Sequence, residues 1–125
     1  MKIIPLLRCD EIKEAIVFYT SILDFDLKYP NEPVNDWGVD LINGDAEIQL
    51  TSMEGKVGIA INVRVDAIDN LFRKYVGRGL IIQSKEISPV HHEPIDQTWG
   101  MREFYVNDPS GNTLRFGMPI NHSLI

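Results

Sequence analysis

The residues of this chain best suited to holding a small molecule are two tryptophans and a handful of carboxylates. Trp37 stands at the start of an expected strand and Trp99 at the end of a long polar loop. From either position an indole ring can stack on a planar ligand, with core packing as the competing account for each. Glu47, Asp40, Glu103 and Asp96 could direct negative charge at a basic group, although a carboxylate taken singly is more often a solvated surface charge. Arg102 and Glu103 are adjacent on one strand and point to opposite faces, so at most one of them reaches a shared site. His91-His92-Glu93 has metal-ligand residue types, but neighbouring histidines in an extended loop diverge, and one carboxylate does not complete a coordination shell. No serine is flanked as in a nucleophile elbow. Cys9, the sole cysteine, follows an apolar run with no histidine nearby, which marks a buried, inert thiol. Gly111 and its neighbours are turn glycines and not a phosphate cradle, because no helix follows them.

A repeated framework must position these groups. Residues 8–19 (RCDEIKEAIVFY) are echoed without a gap by residues 64–75 (RVDAIDNLFRKY), and each copy follows a β-rich run and opens a helix. Ile12, Ala15, Ile16 and Tyr19 fall at helical spacing behind Asp10 as N-cap; Ile68, Leu71, Phe72 and Tyr75 repeat the stripe, closed by Gly77 and Gly79. Tyr19 and Tyr75 are read as packing residues. Strands are expected over residues 2–9, 25–29, 37–42, 47–51, 57–65, 80–87, 101–106 and 112–116, with hairpin turns at Asn43-Gly44 and at residues 108–111 and a long loop over 88–98. Pro5 cannot donate to a ladder, so the first strand should be an edge, a bulge or an unusually paired arm.

The chain therefore reads as one α+β domain over residues 1–125, built from two β-α-β-β-β modules spanning 2–52 and 57–118 that form a half-barrel cleft. Its 125 residues suffice for one core. A formal charge of -6 disfavours nucleic acid and anionic membranes and leaves room for a cationic ligand. One cysteine excludes an internal disulfide, and the N-terminal apolar run is too brief for a signal peptide or a membrane span, so a cytoplasmic location is expected.

Paired modules, a helix ending in Phe18-Tyr19, and the stretches 99–104 (WGMREF) and 108–117 (DPSGNTLRFG) together resemble the glyoxalase, bleomycin-resistance and ring-cleaving dioxygenase superfamily, nearest its bleomycin-resistance branch. In the enzymes of that superfamily a divalent metal is held by a residue from the first and last strand of each half. By position those places fall on Ile4, Gln49, Ala60 and Arg115, of which only Gln49 could bind a metal; shifting the first strands by one residue offers no better donors. The resemblance thus implies a metal-independent binding protein, without cofactor or catalytic residues, that sequesters a cationic, partly aromatic compound such as a glycopeptide antibiotic. Its ligand-binding residues would be Trp37, Gln49, Glu47, Trp99, Glu103 and Arg115. The resemblance also implies a homodimer with an exchanged N-terminal strand. The alternative is a lyase, isomerase or oxygenase on the same scaffold.

Overall fold

The computed structural model describes residues 1–82, 90 and 93–120. The fold is α+β, with two four-stranded open sheets and two helices, and the chain divides into two compact units.

The first unit comprises Met1–Ile59 together with Asp108–Asn112. Its elements are β1 (Leu6–Arg8), α1 (Ile12–Ser21), β2 (Asp26–Leu27), β3 (Gly38–Asn43) and β4 (Ala46–Thr51). The strands lie in the order β1-β4-β3-β2. Pro5 explains where β1 begins: lacking an N–H, it stays just outside the strand, and its carbonyl accepts the Gln49 N–H at 2.9 Å. β1 is then an edge strand, parallel to β4 of its own chain, with Leu6 opposite Gln49. The β3–β4 hairpin turns at Gly44, whose φ of +58° suits glycine. Ile12, Ala15 and Tyr19 form the buried stripe of α1, and Leu7, Leu41, Ile48 and Leu50 are buried apolar residues of the sheet.

The expected Asp10 cap is not formed. The N-cap is Glu11, without a side-chain cap bond, while the Asp10 N–H donates to Ser110 Oγ at 2.9 Å. That acceptor belongs to a turn from the far end of the chain. Buried Asp108 accepts the Tyr19 hydroxyl at 2.8 Å, the Ser110 and Asn112 N–H groups at 2.9 Å and the Asn112 side-chain amide at 3.0 Å. Asn112, fully buried, also donates to the Arg8 carbonyl at 2.8 Å and accepts the Ile59 N–H at 3.2 Å. Each buried polar group of this staple is satisfied, as burial requires.

The second unit comprises Ala60–Asn107 and Thr113–Ile125. It contains β5 (Ala60–Arg64), α2 (Ile68–Gly77), β6 (Ile95–Asp96), β7 (Met101–Asn107) and β8 (Thr113–Pro119), with strand order β5-β8-β7-β6. Phe104 and Phe116 stack at 5.0 Å, and Tyr75 meets both edge-on. α2 stops where Gly79, at φ +105°, lets the Leu80 N–H reach the Tyr75 carbonyl at 3.0 Å. Residues 80–82 are not in a strand, contrary to expectation, and 83–87 lie outside the described residues, as do His91 and His92. β6 instead arises inside the expected loop, where Arg102 ties Asp96 to Asp69 of α2 at 2.9 and 3.0 Å. Among the described residues no helix is long and apolar enough to cross a membrane.

Candidate functional site

The first unit carries a cavity of about 440 Å³ on the face of its sheet. Counting back from the Gly44 turn sets its floor: Asn43 opposes Ala46, so Asp40 opposes Gln49, and Leu6 flanks Gln49 on the other side. Side chains directly opposite one another on adjacent strands share a face, and Asp40, Gln49 and Leu6 all line the cavity. The walls come from the loop between β2 and β3, where two prolines exclude regular structure; Tyr29, Glu32 and Val34 stand there, with Met53 and Glu54 opposite.

Trp37 occupies the rim, 61% exposed, on a backbone that is anything but loose. Asn35 Oδ1 accepts the N–H groups of Trp37 and Gly38 at 2.9 and 2.8 Å, an Asx turn. The Trp37 carbonyl accepts from Thr51 Oγ1 at 3.1 Å and from the Ser52 N–H at 3.2 Å. A fixed backbone beneath an exposed indole makes a stacking platform whose ordering is already complete before a ligand arrives. The lining also holds Glu32, Asp40 and Glu54, with no lysine, arginine or histidine among its described residues. Aromatic rings and carboxylates converging on one hollow suit a planar cation.

Of the six residues expected to bind ligand, the cavity gathers Trp37 and Gln49. Glu47 lies on β4 beyond the lining. Its carboxylate, with the side chain 3% exposed, is clamped by Lys2 at 2.8 Å and Lys28 at 3.0 Å. Those two hydrogen bonds hold its carboxyl below the usual range, against a smaller upward push from burial. Its charge is therefore already matched. Trp99, Glu103 and Arg115 belong to the second unit: Trp99 is 58% exposed in a turn, Glu103 is buried, and Arg115 lies over the Tyr105 ring at 5.1 Å. Of the other carboxylates considered, Asp96 is paired with Arg102. Tyr29, Glu32 and Glu54 escaped the sequence reading. The register of the hairpin could have pointed to Asp40 beside Gln49, but nothing local indicates which loop residues fold over that floor.

The strand positions expected to hold a metal do not assemble a nitrogen- and sulfur-rich shell: Gln49 is bordered by Leu6 and Asp40, Arg115 by Asn62 and Tyr105, and a guanidinium does not ligate a cation. Among the described residues no group of three or more His, Cys, Asp or Glu could hold a metal ion. Cys9 is buried, and desolvation, followed by the nearby Asp108 charge, pushes its thiol up, away from the nucleophilic thiolate.

A model of the Glyoxalase/Bleomycin resistance protein/Dioxygenase superfamily matches residues 4–116. No curated protein matches the chain significantly. Among solved structures, TioX from Micromonospora sp. ML1 is 18% identical, with 96% of this chain and 99% of that chain covered and a TM-score of 0.77. A bleomycin-binding protein from bleomycin-producing Streptomyces verticillus, complexed with copper(II)-bleomycin, is 17% identical over 98% of this chain and 97% of its own, at TM-score 0.71. A lactoylglutathione lyase from Agrobacterium tumefaciens is 16% identical over 94% and 92%, also at 0.71. At such identities these likenesses establish the fold alone.

Proposed function

This chain belongs to the glyoxalase/bleomycin resistance protein/dioxygenase superfamily, and from that premise we propose that it is a metal-independent binding protein that sequesters a small, cationic, partly aromatic compound. The observation that carries the reading is the cavity of the first unit, in which Trp37 and Tyr29 accompany Glu32, Asp40 and Glu54, with no basic residue among the described residues of the lining. Affinity comes from stacking and apolar burial on Trp37, Tyr29 and Leu6, and the carboxylates orient the charged end. No bond is made or broken. A bleomycin-binding protein among its structural neighbours makes a basic glycopeptide the first ligand to try. The reading includes a homodimer, the default closed assembly, with an exchanged N-terminal strand.

The test combines elemental analysis of the purified chain with thermal and calorimetric titration by metal-free bleomycin and by simple aromatic cations, with and without divalent metals. Stabilisation by the organic cation alone is expected, by about 2.7 kcal/mol at one hundred times Kd. Trp37→Ala should weaken binding about tenfold through loss of the stacking surface. Tight retention of one equivalent of metal, with no response to organic cations, would overturn the reading in favour of an enzyme.

A further inference from the structure

The second sheet carries charge of the opposite sign on its face away from α2. Along β8, Leu114 and Phe116 are buried, so Thr113, Arg115 and Gly117 point to the other face. Register places Asn62 and Arg64 of β5 beside Arg115 and Gly117 on one flank, and Tyr105 and Glu103 of β7 beside them on the other. Gly117 leaves room that side chains of the neighbouring strands fill. A Cβ at that position would stand 2.9 Å from Nη1 of Arg64 and 3.1 Å from Cε of Met101. The Arg64 guanidinium therefore lies against bare backbone, and Arg115 is steadied by the Tyr105 ring at 5.1 Å.

Both guanidiniums lack the partners that Arg102 has on the opposite face. Among the described residues neither Arg64 nor Arg115 forms an ion pair, whereas Arg102 holds Asp69 and Asp96. Nε of Arg115 is buried without a hydrogen-bond partner. A buried N–H of a charged group left unmatched is costly, and such orphans mark places where a partner belongs. Glu103 stands on the same face, 3% exposed, with its Oε1 also unpartnered. Two guanidiniums against one carboxylate leave this patch net positive in a chain whose formal charge is -6.

We propose that this face of the second sheet is an oxyanion subsite, in which Arg115 and Arg64, with the Asn62 amide alongside, take a carboxylate or phosphate group. Arginine is the residue for this task, because its planar fork matches the two oxygens of such a group. Glu103 opposes the incoming charge and caps the affinity. Removing the Glu103 charge must therefore tighten anion binding. The subsite lies in the other unit and recognises the other charge, so it stands or falls independently of the cation cavity.

The experiment is a titration of the full-length, nitrogen-15-labelled chain with inorganic phosphate and, separately, with acetate, at ionic strength held constant with chloride. Arginine Nε–H signals are followed. Saturable shifts at Arg115 and Arg64 are expected, and the tighter of the two anions identifies the group. Arg115→Met should raise Kd about tenfold or more through loss of a charged hydrogen bond, and Glu103→Gln should lower it about fivefold by removing a like charge. Should Arg115→Met not fold, Arg115→Lys keeps the charge without the fork and must still weaken binding. Absence of saturable shifts, an unchanged Kd when Arg115 is replaced, or weaker binding by Glu103→Gln would overturn the proposal.

Discussion

Tyr19 sits where the helical stripe puts a packing residue, and it is fully buried, yet its hydroxyl also serves as a donor to Asp108 at 2.8 Å. Tyr19→Phe keeps the ring and deletes the bond, and should cost about 1.5–3 kcal/mol in urea unfolding at neutral pH. Burial first, then the Asp108 charge, push the Tyr19 hydroxyl far up. Ionisation thus begins in the unfolded chain, near the ordinary tyrosine value of about 10. The stabilisation is full below that pH and drains away above it; Tyr19→Phe should flatten this alkaline decline. Glu47 has the opposite sign. Hydrogen bonds from Lys2 and Lys28 lower its pKa, so its contribution is present above about pH 4.3 and is lost as pH falls through the depressed value. Denaturant titrations between neutral and acid pH should show Glu47→Gln losing less stability than the parent chain. Neither partnership is local, with 89 residues between Tyr19 and Asp108 and 45 between Lys2 and Glu47, so no sequence window contains both ends.

At the scale of elements, the two helices were legible because the apolar stripe recurs with the helical period, and Ile12, Ala15, Tyr19, Ile68 and Tyr75 are buried as that stripe requires. Their ends were less so. Gly79, with φ +105°, is the αL residue that releases the chain from α2, and Gly79→Ala should destabilise by about 1 kcal/mol, read from the midpoint of urea unfolding. α1 starts one residue later than expected, with Glu11 as its N-cap, and the Asp10 N–H is taken up by Ser110 from the distant turn. β2 and β6 have only two residues each, too few for alternation to register in a sequence.

For the whole molecule, the decisive arrangement is that Asp108–Asn112 belongs to the first unit while the residues on either side belong to the second. A fragment ending at Ile59 would leave the Tyr19 hydroxyl and the Ile59 N–H without the partners they have at Asp108 and Asn112. Such a fragment should lack a cooperative thermal transition by circular dichroism, and a sharp one would contradict this account. The homodimer reading predicts twice the 14.2 kDa chain mass in sedimentation equilibrium, and a single-chain mass at micromolar concentration would discard it.

The sequence by itself determined the α+β class, the two helices, the hairpin turns and the superfamily, because periodicity, turn residues and the internal echo are carried by neighbouring positions. It also supplied the expectation, implied by the resemblance, that Ile4, Gln49, Ala60 and Arg115 stand at the superfamily's metal positions. Tertiary structure alone decided which charges remain available. Glu47 and Glu103 read alike in sequence, yet two lysines fold onto one and leave the other with an unpartnered oxygen. It alone brought the β2–β3 loop over Asp40 and Gln49. Contacts across tens of residues depend on how the chain returns on itself, which no local pattern records.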